Sequence, residues 1–281
     1  MSTPPPHTVL LAGLPRGGTT LACAMLNEHP NTVALVEPML IDVHGDRPRA
    51  VHEIGAFVRQ ARQQLLQTRR AVSKHRDGVI PDNTVRDGPG ALALRRGADQ
   101  HGLVTFDKPL TPSFRLVVKH PALFTALADL LVQEYPVYAV VRHPLAVLAS
   151  WQTVAMPVNQ GRLPMAEAFC PPLAARLARI GQVLDRQVAI LEWMLTTYLA
   201  LPAGCVLRYE DMLARPASTL APVSGWVWPP GRQRQPYAAS SRYPGVDLRR
   251  LAAALAPLEP TASRLYPDVA APPADHPPPA D

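Results

Sequence analysis

Short apolar runs that alternate with stretches of helical spacing predict an α/β fold, a parallel sheet flanked by helices on both faces. Three observations carry this expectation. The run Thr8-Val9-Leu10-Leu11-Ala12 is continuously apolar, as a strand buried on both faces must be. It breaks at Gly13, Pro15, Gly17 and Gly18 and resumes at helical spacing as Leu21-Ala22-Cys23-Ala24-Met25-Leu26. The same order of strand then helix recurs at Phe114–Val118 with Pro121–Glu134, and at Val137–Val141 with Pro144–Ala155. Such sheets place ligands at the carboxyl ends of their strands.

The remaining elements follow in order. Thr32–Val36 is a second strand, ended by Glu37-Pro38. Val51–Val72 carries apolar residues at Ile54, Val58, Ala61 and Leu65 and is expected to be one long amphipathic helix. From Ser73 to Pro112 no period is visible. Leu173–Leu201 is the longest helical stretch, Cys205–Arg208 the next strand, and Asp247–Leu258 the last helix. Proline at the first helical position suits Pro121 and Pro144. Of the chain's 33 prolines, clusters at 4–6, around Pro229 and at 272–279 mark floppy segments. The domain reading is therefore one domain over residues 1–270 and a Pro-rich flexible tail over 271–281.

Composition narrows function only a little. With 47% hydrophobic and 18% charged residues the chain is globular rather than disordered. The net charge of +6 is spread along the sequence. One short cluster, Arg69, Arg70, Lys74 and Arg76, reads as a solvated helix end, and no aromatics interleave with it as a nucleic-acid platform would require, so no nucleic-acid partner is expected. Three dispersed cysteines suggest neither a disulfide framework nor a zinc site. The Thr8–Leu14 run is too short for a membrane span and lacks a basic leader, so the expectation is a cytoplasmic protein without a membrane partner.

The loop Gly13-Leu14-Pro15-Arg16-Gly17-Gly18-Thr19-Thr20 has the G-x-x-x-x-G frame of a P-loop, which holds anions on backbone N–H groups and a helix N-terminus. Thr19 stands where triphosphate-binding loops carry lysine, and the basic residue is Arg16, inside the loop. An ordinary glycine-rich turn is the bland alternative. Further on, Arg142 ends a strand and Ser150 follows eight positions later, two helical turns along, so that both can converge on one phosphate. Either residue alone would be compatible with a surface ion pair or a helix face.

Pro15-Arg16-Gly17-Gly18-Thr19-Thr20 resembles the 5′-phosphosulfate loop of sulfotransferases that use 3′-phosphoadenosine 5′-phosphosulfate (PAPS), and Arg142 to Ser150 resembles their 3′-phosphate motif. His143 replaces the aspartate many members have. Arg208-Tyr209-Glu210-Asp211 is similar to the family's Tyr-Glu-Asp segment, which makes Tyr209 the adenine candidate, with a core tyrosine as the alternative. The resemblance implies a P-loop-type α/β fold and a nucleotide held by Pro15, Arg16, Gly17, Gly18, Thr19, Thr20, Arg142, Ser150 and Tyr209. It implies PAPS as co-substrate without a metal. Members with a glutamate after a similar His-Pro turn, in the bacterial and tyrosylprotein-like branch, make Glu37 the candidate base, with a pKa expected to rise if the site is dry. Lys119 in Lys119-His120-Pro121 and Arg16 are the expected stabilisers of transferring charge. Lys108 rivals Lys119, and His120, His101 and His7 rival Glu37.

The resemblance thus implies a sulfuryl transfer to a hydroxyl of a small metabolite, sugar or natural product, or second a peptide tyrosine. The Ala-, Arg- and Pro-rich composition associates with a GC-rich bacterial genome, and a natural-product acceptor would belong to secondary metabolism. A P-loop kinase, and a nucleotide-binding protein without chemistry, are the other classes. The acceptor and the oligomeric state stay open, and 73–112 and 156–172 are the connections expected to form lids or an acceptor pocket.

Overall fold

The computed structural model describes residues 7–41, 45–88, 93–97, 99–225, 243 and 245–268. Five strands form one parallel sheet: β1 (Thr8–Gly13), β2 (Thr32–Val36), β7 (Arg115–Lys119), β8 (Val137–Val141) and β9 (Val206–Arg208), in the order β2-β7-β1-β8-β9. Every residue of β1 and β2 is buried, side chains of both parities included, so helices cover both faces of the sheet. β1 lies between β7 and β8, with Leu11 opposite Lys119 and Gly13 opposite Val140. The chain leaves β1 toward one side of the sheet and later returns on the other. The loop after β1 therefore sits at the switch point where such sheets bind ligands.

Helices follow the strands where the sequence places them. α1 (Thr19–Asn27) follows the glycine loop, α3 (Pro121–Ala126) follows β7, and α5 (Pro144–Gln152) follows β8. Pro121 and Pro144 both stand in the first turn, where the missing N–H costs no intrahelical bond. Between them α4 (Ala128–Leu131) is separate from α3, because the fully buried Leu127 takes φ −110° rather than helical φ. After β9 come α9 (Tyr209–Ala214) and α10 (Pro216–Ser224). Trp151 is fully buried and Trp193 packs on the core. Trp226, Trp228 and the tail at 271–281 lie outside the described residues.

Several expectations need correction. The helix expected over Val51–Val72 is α2 (Arg47–Thr68), opened by Asp46, whose carboxylate accepts from Arg49 N, and ended by Arg69 at φ 59°. Beyond it the chain turns extended as β3 (Arg70–His75), paired antiparallel with β6 (Gln100–Thr105). The stretch without visible period thus holds a hairpin, and a smaller bridge joins β4 (Val85–Arg86) to β5 (Arg96–Gly97). The basic cluster is not a solvated helix end: Lys74 pairs with Glu37 and Arg76 with Asp99. The single helix expected at Leu173–Leu201 is two, α7 (Pro171–Arg179) and α8 (Val183–Leu199), parted at the Ile180-Gly181-Gln182 turn. At the C-terminal end the regular helix covers Leu248–Ala254, with Asp247 as its cap, and tightens to a 3₁₀ turn at Ala256–Leu258. Residues 156–172 fold as the 3₁₀ turn Pro157–Gln160 and α6 (Pro164–Phe169).

Candidate active site

The glycine loop is shaped by the contacts its residues leave room for. Arg16 takes φ 66° and Gly18 φ 95°, and alternating left-handed positions of this kind aim successive N–H groups into one concavity. A Cβ on Gly18 would stand 2.3 Å from Tyr209 Cδ2, and one on Gly17 2.8 Å from the Leu14 carbonyl oxygen. Only glycine fits either place. Leu14 N donates to Val140 O at 3.0 Å, and the Trp151 indole donates to Pro15 O at 2.8 Å, so the loop is bound to the strand and helix that carry the second motif. Thr19 and Thr20 are buried at the start of α1.

The second motif meets the loop directly. Arg16 Nε donates to Ser150 Oγ at 3.4 Å, across 134 residues of sequence. Arg16 also donates to Asn83 Oδ1 at 2.9 Å and Thr84 Oγ1 at 3.4 Å. Ser150 accepts a further bond from Arg95 Nη2 at 3.1 Å, and Arg95 donates to Thr153 Oγ1 at 2.6 Å. Arg142 lies 4.7 Å over the Tyr209 ring and donates to Tyr243 Oη at 3.3 Å, while Arg95 stacks 5.5 Å from the same Tyr243 ring. Three guanidinium groups thus gather about one serine and one tyrosine. A cavity of about 1170 Å³ adjoins them, sharing Arg95 and Thr153 with walls from α8 and the helix Leu248–Ala254.

His143 caps the helix that carries Ser150. Its ring Nδ1 accepts from Leu145 N at 3.3 Å and caps α5. Its own N–H donates to Glu210 Oε1 at 3.0 Å, and Glu210 Oε2 accepts from Tyr266 Oη at 2.8 Å. Tyr209, the adenine candidate, is buried between Gly18 and Arg142, so its ring joins the two motifs.

The candidate base and its partner stand side by side because their strands do. Val36 is in register with Lys119, and Glu37 N donates to Lys119 O at 2.7 Å, which extends the β2–β7 pairing by one residue. Lys119 Nζ donates to Glu37 Oε1 at 2.6 Å and to Thr20 Oγ1 at 3.3 Å, so one ammonium joins the glutamate to the glycine loop's helix. Lys74 donates to Glu37 Oε2. Glu37 holds φ 42°, a left-handed conformation that non-glycine residues adopt at a cost of about 1–3 kcal/mol where surrounding structure enforces it.

The expected rise in the Glu37 pKa is reversed. Burial pushes the carboxyl up, but Lys119, Lys74 and His120 together push it well below the ordinary carboxylate range. The expectation considered desolvation alone and missed the second ammonium.

The rivals are placed elsewhere or otherwise engaged. Lys108 donates to the carbonyls of Asn27 and His29 at 2.7 and 2.9 Å, closing the turn after α1, and burial lowers its pKa to about 8. His7 precedes β1, at the opposite end of the sheet. The His101 ring bonds Pro38 O at 3.0 Å. His120 adjoins Glu37, and burial lowers its pKa to about 4, against the opposing pull of Glu37. Among the described residues no group of three or more His, Cys, Asp or Glu side chains is placed to hold a metal ion, and no helix is long and apolar enough to cross a membrane.

The sequence profile described as the sulfotransferase family matches residues 8–227, from the first residue of β1 to past α10. The chain belongs to the sulfotransferase family. No curated protein matches its sequence significantly. Among solved structures it is similar to the sulfotransferase domain of the Synechococcus PCC 7002 olefin synthase, at 16% identity over 79% of this chain and 73% of that one, with a TM-score of 0.37. It is also similar to the sulfotransferase STF9 from Mycobacterium avium, at 15% identity over 92% of this chain and 77% of that one, with a TM-score of 0.40.

Sequence reasoning missed four groups of this sulfotransferase's site: Lys74, Arg95, Tyr243 and the Asn83-Thr84 pair. Arg95, Asn83 and Thr84 lie in the stretch without period, and Tyr243 follows the last matched residue. Lys74 had a signal. Leu103-Val104-Thr105-Phe106 is rich in β-formers, and pairing it with Arg70–His75 would have put Lys74 on a strand rather than in a solvated helix end.

Proposed function

We propose that this sulfotransferase transfers the sulfuryl group of PAPS to the hydroxyl of a small acceptor, releasing 3′,5′-ADP. The observation that carries the reading is the Arg16–Ser150 contact: the loop and the second motif, far apart in sequence, meet side chain to side chain. A donor phosphorylated at both ends of its ribose needs two anion subsites at fixed separation. The glycine loop supplies one through N–H groups and the start of α1. Arg142, Ser150 and Arg95 supply the other through charge-assisted hydrogen bonds. Tyr209 gives the aromatic wall between them for adenine.

In the transfer step the acceptor oxygen forms a bond to sulfur as the bond from sulfur to the 5′-phosphate oxygen breaks, its electron pair leaving with the phosphate. Positioning and charge stabilisation dominate such a loose, in-line transfer. Lys119 and Arg16 face the charge that develops on the leaving oxygen. Glu37 accepts the acceptor's proton. Its pairing with two ammonium groups makes it a weak base in the nucleotide-free protein. Lys119 is shared with Thr20, on the donor side, so a bound phosphosulfate competes with Glu37 for it and restores basicity.

The reading takes residues 1–270 as one domain in a reducing cytoplasm, in keeping with the three free cysteines. A small hydroxyl metabolite, sugar or natural product is the acceptor it favours, approaching Glu37 from the side of the β3–β6 hairpin and the exposed Leu40.

Thermal unfolding with 3′,5′-ADP, 5′-ADP, and ATP with Mg²⁺ tests the donor. A ligand at 100 times its Kd adds about 2.7 kcal/mol of stability. Selective stabilisation by 3′,5′-ADP is the expected result. Stabilisation by ATP with Mg²⁺ and not by 3′,5′-ADP would overturn the reading in favour of a kinase.

A further inference from the structure

Lys74 lies outside every motif of the sequence, yet its ammonium holds the second oxygen of Glu37. The hairpin that carries it is fixed on both sides of that glutamate. Ser73 is fully buried, and its Oγ accepts from Val36 N at 2.9 Å, hooking β3 to the last residue of β2. The next residue on each strand is Lys74 and Glu37. Across the hairpin, Lys74 is in register with His101, whose ring bonds the carbonyl of Pro38, the residue after Glu37. A strand outside the main sheet thus delivers one ammonium to one carboxylate.

The two lysines are not equivalent. Lys119 is 3% exposed and has a second acceptor in Thr20 at 3.3 Å, on the helix that follows the glycine loop. Lys74 is 38% exposed and approaches the other carboxylate oxygen from the hairpin. The other charged or titratable groups facing Glu37 are His120 beyond β7 and the Cys23 thiol on α1, which burial pushes up to about 12 and keeps neutral. Asp99, before β6, faces both lysines.

We propose that Lys74 is the positioning residue of the transfer step: when Lys119 turns to the donor, Lys74 still holds Glu37 Oε2, which fixes the carboxylate's orientation and leaves its Oε1 for the acceptor hydroxyl. This rests on the reading of Glu37 as base. The division of labour gives a base that is shielded while the donor site is empty and released by donor binding, without losing its orientation. A single adjacent ammonium lowers a carboxylate pKa by about 1–3 units. Removing Lys74 therefore raises Glu37 toward the ordinary range, whereas arginine at the same place preserves the charge.

The test follows the Glu37 side-chain carboxyl by ¹³C NMR in the full chain saturated with 3′,5′-ADP, lowering the pH from neutrality, with Glu37→Gln to assign the signal. Lys74→Met is expected to raise the Glu37 midpoint by at least about one unit relative to wild type, and Lys74→Arg to leave it within a few tenths. The Kd for 3′,5′-ADP should change less than about twofold in both, since the Lys74 ammonium bonds Glu37 rather than the loop. An unmoved Glu37 midpoint in Lys74→Met, with nucleotide still bound, overturns the Lys74 assignment alone. If the wild-type protein fails to bind 3′,5′-ADP, the PAPS reading fails and the catalytic use of Lys74 with it, while a Lys74→Met shift in the free protein would still report a purely electrostatic pair.

Discussion

Replacing Glu37 by glutamine tests the candidate base and the electrostatics of the whole site at once. Glutamine keeps the shape of the side chain and removes its charge and basicity. A positioned general base contributes about 10²–10⁴ in rate, so PAPS turnover should fall by that factor. The structure predicts a second effect. Lys119, 3% exposed, loses the carboxylate it touches at 2.6 Å, and breaking a buried ion pair costs about 3–5 kcal/mol. Glu37 keeps 23% of its side-chain surface exposed, which places the loss near the low end, about 3 kcal/mol. At about 2–4 °C per kcal/mol for a chain approaching this size, Tm should fall by on the order of 10 °C. The nucleotide then becomes a substitute counter-ion: 3′,5′-ADP should raise Tm more in Glu37→Gln than in wild type and bind at least as tightly. The assays are differential scanning fluorimetry with titrated nucleotide and release of 3′,5′-ADP from PAPS. Turnover within about threefold of wild type would refute Glu37 as base. A Tm unchanged by the substitution would refute the account of Lys119 as a buried charge that depends on it.

Other outcomes follow from the same geometry. His120 has its pKa lowered from 6.5 to about 4 by burial, so between these values the unfolded chain binds a proton the folded chain refuses; stability present at neutral pH is lost as pH falls from 6.5 toward 4, by up to about 3 kcal/mol. Urea unfolding at a series of pH values should show that slope, and His120→Gln should remove most of it. Arg95→Met deletes donors to Ser150 and Thr153 and should weaken 3′,5′-ADP about 10- to 150-fold while barely changing 5′-ADP, measured by calorimetry. Lys108→Met should lower Tm with little loss of turnover per folded molecule, because its ammonium serves the carbonyls of Asn27 and His29; a loss of turnover as large as that of Lys119→Met would reverse their roles.

The parallel sheet was legible because strands buried on both faces leave continuous apolar runs, and all five were placed within a residue or two. The loop and the Arg142-Ser150 spacing were legible because each is local: glycines within one strand-to-helix turn, and an arginine and a serine two helical turns apart. The hairpin was hidden by the helix before it. Arg69-Arg70 continues a helical composition, and only the left-handed φ of Arg69 turns the chain into β3. Arg95 and Tyr243 were hidden for a different reason: their roles depend on where two loops land, and nothing in local spacing records that. The direction of the Glu37 pKa was misjudged because it depends on Lys119 and Lys74, 82 and 37 residues away in sequence. Local patterns therefore singled out residues that the fold brings together, Arg16 with Ser150 and Glu37 with Lys119, and missed Lys74 and Arg95, which bond to them.

The placement of the two motifs has a single structural origin. β1 lies between β7 and β8, so its loop has Lys119 on one side and Arg142 on the other. Packing then ties these neighbours together through two aromatic side chains. The Trp151 indole holds the Pro15 carbonyl, and the Tyr209 ring fills the space beside Gly18 while Arg142 lies over it. A change in either aromatic residue moves both anion subsites, because each packs against the loop and belongs to or touches the second motif. The separation between subsites is thus set by the core, and the core in turn requires glycine at 17 and 18, where a Cβ would collide with Leu14 or Tyr209. The loop's glycines, Trp151 and Tyr209 are therefore one packing unit, and the spacing between the loop and Arg142 is built into it.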